Sequence, residues 1–228
     1  MKTIAICQAR LGSTRLPAKV MLAINGMTLL EIFVRRLRQS KLLDDIIIAT
    51  SVNSQDDIIV DECNRLGVKY FRGDELNVLS RYYYCAKENK AELIVRVTSD
   101  CPLIDPRIID AGIKAHIEND SDFSNNHYIK TFPHGYDYQM LKFELLEESF
   151  MNAKEPEELE HVVPYIEKNI DRYNFLSFTN SITRECGEIR ITVDNLNDYI
   201  EVSKIIRRVN KKVEDIELLD IIANYDEN

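Results

Sequence analysis

The chain of 228 residues has no tryptophan, only 7 glycines and 6 prolines, and no apolar run near the length of a membrane span. Scarce Gly and Pro exclude a collagen-like or linker-rich polypeptide. A transmembrane helix needs about 20 consecutive apolar residues, so an integral membrane protein is not expected. The opening MKTIAICQAR also lacks the apolar core and small-residue cleavage site of a secretory signal, so a cytoplasmic protein is expected. Five cysteines (Cys7, Cys63, Cys85, Cys101 and Cys186) are odd in number and form no C-x-x-C pair. Reduced thiols fit this better than a disulfide framework or a zinc site. Basic residues are in deficit, 29 Lys+Arg against 38 Asp+Glu, for a net charge of −9. That balance excludes a nucleic-acid-coating surface, which needs a basic face.

What is present is ordinary for a folded domain: 45% hydrophobic and 29% charged residues argue against disorder. Apolar runs at Thr3–Cys7, Ile46–Ala49, Val68–Phe71 and Leu93–Val97 read as strands. Between them lie helical patterns starting at Leu29 (Thr28 and Glu31 as a capping box), at Ser54–Asp57 ending at Gly67, at Val78–Lys87, and at Asp105-Pro106 through about Glu118. Continuous apolar strands alternating with amphipathic helices predict an α/β fold, a mainly parallel Rossmann-like sheet covered by helices on both faces. The middle of the chain breaks the rhythm. Strands are expected at Asp122–Tyr128, Tyr136–Phe143, Tyr173–Phe178 and Glu188–Val193. Helices are expected near Leu145–Ala153, Glu157–Asn169, Tyr199–Val209 and Ile216–Asn224. The reading is one domain over 1–228 with a small antiparallel insertion over roughly 130–185.

Ligands of open α/β sheets sit beyond the carboxyl ends of the strands. Gln8-Ala9-Arg10-Leu11-Gly12-Ser13-Thr14-Arg15-Leu16-Pro17-Ala18-Lys19 follows the first strand, with three cations, two hydroxyls, one glycine and no acid. Such a loop suits a polyphosphate: cations neutralise, Ser13 and Thr14 donate, and Gly12 lets backbone amides approach. It matches neither a Walker A loop nor a dinucleotide G-x-G-x-x-G, and a basic surface loop would look the same. Ser51 ends the second strand and either faces the same edge or is an ordinary loop serine. Asp100, in Val97-Thr98-Ser99-Asp100-Cys101-Pro102, stands at a strand end where a divalent cation can be held, whereas Asp105 reads as a helix cap. In Arg190-Ile191-Thr192-Val193-Asp194, alternation puts Arg190, Thr192 and Asp194 on one face; alone, Asp194 could equally cap the next helix.

QARLGSTRLPAKV, VTSDCPLIDP and RITVDNLNDY, in that order, resemble the cytidylyltransferase family of sugar activation. That family includes the 3-deoxy-manno-octulosonate and acylneuraminate cytidylyltransferases, and the nearest resemblance is to its spore coat polysaccharide branch. The resemblance runs from residue 3 to about 210 and implies a fold of the nucleotide-diphospho-sugar transferase type. It implies a nucleotidyltransferase that activates a sugar with CTP, releases pyrophosphate, uses Mg²⁺ as cofactor and works as a homodimer. Residue by residue, Arg10, Arg15, Lys19 and Asp100 would be catalytic, and Gln8, Ala9, Gly12, Ser13, Ser51 and Arg81 would join them in binding the nucleotide. Asp100 and Asp194 would hold the metal. His134, Tyr136, Asp137, Gln139, Glu160 and Arg190 would face the sugar, and the 130–185 insertion would form the dimer arm. The branch usually has acidic and small apolar residues where Tyr138-Gln139-Met140 stand, and arginine where Leu159 precedes Glu160-His161. Two rivals remain: a metal-dependent glycosyltransferase of related fold, disfavoured because Thr98-Ser99-Asp100 has one acid where D-x-D has two, and a nucleotide-binding protein without turnover. His116 reads as a packing or surface residue, His127 and His134 as acceptor-side candidates, and Tyr82-Tyr83-Tyr84 as helix packing. The Arg35-Arg36 pair reads as a solvated helix face.

Overall fold

The β-branched runs of the sequence become the middle of one sheet. The computed structural model describes residues 1–179 and 184–225. Its strands are β1 (Thr3–Gln8), β2 (Ala23–Ile24), β3 (Met27–Thr28), β4 (Asp45–Ser51), β5 (Lys69–Gly73), β6 (Leu93–Thr98), β7 (Phe123–Asn125), β8 (Gln139–Lys142) and β9 (Phe175–Ser177). Seven of them form a sheet in the order β5-β4-β1-β6-β8-β7-β9, in which only β8 runs against its neighbours.

The helices are α1 (Leu29–Leu37), α2 (Asp57–Leu66), α3 (Val78–Glu88), α4 (Pro106–Glu118), α5 (Phe143–Asn152), α6 (Pro156–His161), α7 (Pro164–Lys168), α8 (Leu196–Val209) and α9 (Leu218–Asn224). Strand alternation divides them between the two faces of the sheet. Ala5 and Cys7 of β1 pack with Phe33 of α1, Cys63 of α2 and Ile113 of α4, while Ile4 and Ile6 pack with Tyr82 of α3, Leu146 of α5 and Ile166 of α7.

A third apolar cluster attaches the carboxy-terminal part. Ile24, Leu29 and Ile32 meet Ile191, Val193, Val202 and Ile205. The β2–β3 hairpin that supplies Ile24 turns on Asn25 (φ 51°) and Gly26 (φ 80°), the residue pair that a tight hairpin with two left-handed positions favours. Arg36 is buried in this seam and donates to the carbonyls of Ile104 (2.9 Å), Ile216 (3.0 Å) and Val213. It is therefore a structural tie and not part of a solvated helix face, and burial lowers its pKa.

Several expected elements differ. Thr28 caps α1 by accepting from the Glu31 N–H, but the Glu31 carboxylate turns to Arg35 and Arg65, so the capping box is half formed. Glu157–Asn169 is two helices, because Val162 adopts φ 73°, ψ −49° and Pro164 then starts α7. Glu188–Val193 is no strand; its sheet-like contact is one parallel bridge from His134 to Arg190. Within 130–185, β8 pairs antiparallel with β6 and β7 and is the antiparallel part of the sheet, while β9 joins its edge and α5 packs on its face. Residues 180–183 of that segment lie outside the described residues. The separate antiparallel pair is β2–β3.

Candidate active site

From β1 the sheet grows outward through β4 to β5, and the chain then returns to β6 on the opposite side of β1. Such a reversal opens a crevice beyond the carboxyl ends of the two strands, where ligands bind. Gln8 and Thr98 are paired at those ends, and the Ser99 hydroxyl donates to the Gln8 carbonyl at 2.7 Å, closing the floor between them.

Two cavities occupy this crevice. One, of about 290 Å³, is lined by Gln8, Ala9, Arg10, Gly12, Ser13, Thr14, Arg15 and Lys19 of the first loop. Arg81, Ser99, Glu160 and His161 face them. The other, of about 570 Å³, is lined by residues including Arg96, Cys101, His127, Lys130, His134, Asp137, Gln139, Arg190 and Thr192. Thr98, Asp100 and Asp194 line both, so the two spaces meet at the two aspartates.

The loop is held from behind by one carboxylate and one backbone carbonyl. Leu11 N donates to Asp56 Oδ1 at 2.8 Å, and Ala18 N donates to the Leu11 carbonyl at 3.0 Å. Ala18 takes a left-handed conformation (φ 56°, ψ 24°) that a non-glycine residue rarely adopts, and it delivers Lys19 inward. Lys19 Nζ lies 2.7 Å from Asp100 Oδ2 and 2.9 Å from Asp194 Oδ1. Burial alone would lower the lysine pKa, but these two carboxylates outweigh it and the pKa is raised. Asp194 is pushed up by burial and pulled further down by Lys19, Arg190 and Arg15, so it ends below the usual carboxylate range. A Cβ on Gly12 would meet only the tips of Glu75 and Gln55, so in the free protein glycine there is not sterically required.

In the larger cavity His134 Nδ1 sits 2.6 Å from Asp137 Oδ2, and that bond raises the histidine pKa. The alternation read in Arg190-Ile191-Thr192-Val193-Asp194 holds: Ile191 and Val193 enter the third apolar cluster while the other three line the cavity.

Three expectations are corrected. Ser51 is fully buried; its hydroxyl donates to Asp56, so it braces the loop indirectly and lines neither cavity. Tyr136 is also fully buried, in the third apolar cluster, because the turn at Gly135 (φ 119°) sends Asp137 rather than Tyr136 into the cavity. Glu160 faces the first loop and not the acceptor side, with its carboxylate 3.6 Å from Arg10 Nη2. His116 is buried against Ser124, a packing residue as read.

Two residues escaped sequence reading. Arg96, the lone charge in β6, donates to Gln139 Oε1 and, at 3.2 Å, to Gln8 Oε1, so it spans the wall between the cavities. A single cation in an otherwise apolar central strand was the available signal. Asp56, fully buried behind the first loop, carried none beyond its place before a helix.

No three His, Cys, Asp or Glu side chains gather as metal ligands among the described residues. Asp100 and Asp194 nonetheless both reach one cationic atom, Lys19 Nζ, so a single cation can be shared between them. Two carboxylates with phosphate oxygens and water are the usual donor set of Mg²⁺, and this pair fits that ion.

The family model described as cytidylyltransferase matches residues 4–221. Over 233 residues the chain is 38% identical to an uncharacterised protein of Methanocaldococcus jannaschii, covering 100% of this chain and 92% of that one. It is 34% identical over 229 residues to the spore coat polysaccharide biosynthesis protein SpsF of Bacillus subtilis, covering 98% and 93%. A solved cytidylyltransferase from Leptospira borgpetersenii superposes with a TM-score of 0.92 at 32% identity, covering 98% and 93%.

Proposed function

This chain belongs to the cytidylyltransferase family, and from that premise we propose that it joins CMP to a sugar acceptor for polysaccharide synthesis, releasing pyrophosphate from CTP. The observation that carries this reading is the meeting of two cavities at Asp100 and Asp194, one walled by cations and the other by mixed polar groups. An acceptor oxygen in the larger cavity would attack the α-phosphorus at that junction while pyrophosphate leaves toward the first loop.

Transfers of this kind need positioning and charge neutralisation more than covalent help from the protein. Arg10, Arg15 and Lys19 would hold the β- and γ-phosphates, with the Gly12 and Ser13 backbone around them. Asp100 and Asp194 would hold Mg²⁺, which supplies charge stabilisation to phosphate oxygens when bound. Arg81, buried in the wall of the smaller cavity, adds positive charge beside Arg10. In the larger cavity Arg190 and His134 are matched by carboxylates, whereas Arg96 meets two amide oxygens. Among the described residues Lys130 has no ion-pair partner. Those two cations support an acceptor that carries an anionic group.

Pyrophosphate release tests the reading, measured with each nucleoside triphosphate and Mg²⁺ across keto-acid sugars, amino sugars and sugar phosphates. CTP with an anionic sugar should give turnover, and Asp100→Asn should lower it by roughly a hundredfold, the cost of losing one strong transition-state contact. CTP binding without release across the panel would favour a protein that binds nucleotide without turnover. Wild-type turnover by Asp100→Asn under saturating Mg²⁺ would overturn the metal assignment.

The cellular setting belongs to the same proposal. All five cysteines are buried and none forms a disulfide, which supports a reducing cytoplasm. No helix among the described residues is long and apolar enough to cross a membrane. A homodimer through the 130–185 region is supported by Tyr128 and Ile129, exposed apolar residues at its edge. Elution as a monomer at micromolar concentration would overturn it.

A further inference from the structure

Lys19 is the most enclosed cation of the first loop, with its side chain 12% exposed, and it sits at the point both aspartates reach. The other Asp194 oxygen is taken by Arg190 Nη2 at 2.6 Å, and Arg15 Nη2 adds a contact of 3.0 Å to Oδ1. Among the described residues the other Asp100 oxygen accepts only the Cys101 thiol, at 3.7 Å. Two carboxylates are thus already faced by three cations. A divalent ion arriving alone would enter a locally positive site and would have to evict an ammonium into a wall shared with Arg10, Arg15 and Arg81. Leaving a half-buried charge without its partner is costly.

A triphosphate reverses this balance. It brings several negative charges to the loop that carries Lys19 and offers the ammonium new oxygens. The lysine stem is flexible and its head is a compact point charge, so the exchange needs rotamer changes and no movement of the backbone. Ala18, fixed in its left-handed conformation by the bond from its N–H to the Leu11 carbonyl, keeps the stem rooted between both destinations.

We propose that Lys19 is a resident placeholder for the divalent cation, so that the Asp100–Asp194 pair accepts metal tightly only together with the nucleoside triphosphate. This rests on the nucleotidyltransferase reading above and adds to it an order of assembly. Nucleotide and metal affinities are then coupled, and the coupling is reciprocal. A protein built this way does not trap bare divalent cations when nucleotide is scarce.

The experiment is a Mn²⁺ titration followed by the electron paramagnetic resonance of the free ion. The samples are the nucleotide-free wild type, Asp100→Asn, Lys19→Met and Lys19→Met/Asp100→Asn, and saturating α,β-methylene CTP with and without the wild type, so that Mn²⁺ held by the analogue alone is subtracted. Nucleotide-free wild type should bind Mn²⁺ weakly, Lys19→Met at least tenfold tighter, and the double variant should lose that gain. The CTP analogue should tighten wild-type binding at least tenfold. Lys19→Met binding no tighter than wild type overturns the placeholder, as does tight wild-type binding without nucleotide that Asp100→Asn abolishes. Lys19→Gln replaces Lys19→Met if the latter does not give a cooperative thermal transition. Calorimetry of the analogue separates the two levels. Binding of the analogue with no effect of Lys19 substitution overturns the placeholder alone, and no binding of any nucleotide analogue overturns the parent reading as well.

Discussion

Leu11 and Asp56 are joined by a 2.8 Å hydrogen bond from backbone N–H to carboxylate, across 45 residues of sequence. Asp56 is fully buried, and its second oxygen accepts from Ser51. Its charge also counters that of Arg81, whose pKa is lowered by burial. The first loop is thereby held open by a carboxylate that touches no cavity. Asp56→Ala should destabilise the fold by about 2–3 kcal/mol, because a half-buried N–H and a buried hydroxyl lose a charged acceptor. It should also raise the KM for CTP more than it lowers kcat, since the loop and not the reacting centre is disturbed. Asp56→Asn can still accept from Leu11 and should cost less. Urea denaturation and steady-state kinetics on the three proteins check this; equal KM values would mean that the brace serves stability only.

The sheet was legible because its central strands are short β-branched runs and its helices carry caps that act locally, such as Asn77 accepting from the Ser80 N–H and Asp105 from the Arg107 N–H. The first-loop cations and Asp100 were legible because strand ends locate ligands in such sheets, whereas Asp194 follows no strand and was placed by alternation with Arg190 and Thr192. What failed depended on side-chain direction at turns. Ser51 ends its strand at the correct edge but points inward to Asp56, and Gly135 rotates Tyr136 into the core. The apolar alternation of Ile189, Ile191 and Val193 mimics a strand, although it is produced by packing against α8 and the β2–β3 hairpin. Arg36 resembles any surface arginine until three carbonyls from distant segments converge on it.

Val162 carries the most unusual backbone of the site region. With φ 73° and ψ −49°, and a 2.9 Å bond from the Val163 N–H to the His161 carbonyl, it forms a tight three-residue turn of a strained kind. A β-branched residue there costs on the order of 1–3 kcal/mol. The turn presents Glu160 and His161 to the smaller cavity, with Glu160 opposite Arg10. Val162→Gly loses buried side-chain contacts but relieves the backbone. It should therefore destabilise by at least about 1 kcal/mol less than Val163→Gly, where φ is −100° and no such relief exists. The KM for CTP should rise in Val162→Gly as the turn loosens. Equal stability losses in the two variants would show that the turn stores no strain.

The His134–Asp137 pair sets a pH response on the acceptor side. Donation from His134 Nδ1 to the Asp137 carboxylate raises the His134 pKa, and this bond with that from the Gly135 N–H outweighs burial to hold Asp137 below the usual carboxylate range. Because the folded pKa of the histidine lies above its unfolded value of about 6.5, the pair's contribution is complete below that value. It is lost as pH rises through the folded pKa. In Asp137→Asn the His134 midpoint, followed by its imidazole resonances in NMR, should fall. Any acceptor contact that needs the imidazolium should weaken at lower pH than in the wild type. An unchanged midpoint would show that the pair is not formed in solution.

His116 should do the opposite, and through stability rather than binding. It is buried beside Lys142, and burial first, with that cation second, pushes its pKa down to about 4. Its Nδ1 lies 2.8 Å from the Ser124 hydroxyl, while Nε2 is buried without a hydrogen-bond partner among the described residues, so protonation would place an unpaired charge between α4 and β7. A histidine whose folded pKa is depressed binds protons more readily when unfolded, so stability falls as pH drops below about 6.5 and continues to fall toward the folded value. The full difference amounts to roughly 3 kcal/mol at one pKa unit per 1.36 kcal/mol, an upper figure for a group of this burial. Urea midpoints measured from pH 7 to pH 4.5 should therefore decline in the wild type. In His116→Phe, which keeps an aromatic ring but cannot titrate, the decline should be shallower by about 1–2 kcal/mol over that span, whatever the variant costs at pH 7. Parallel declines in the two proteins would move the acid sensitivity to the carboxylates, with Asp194 and its ring of cations as the first to test.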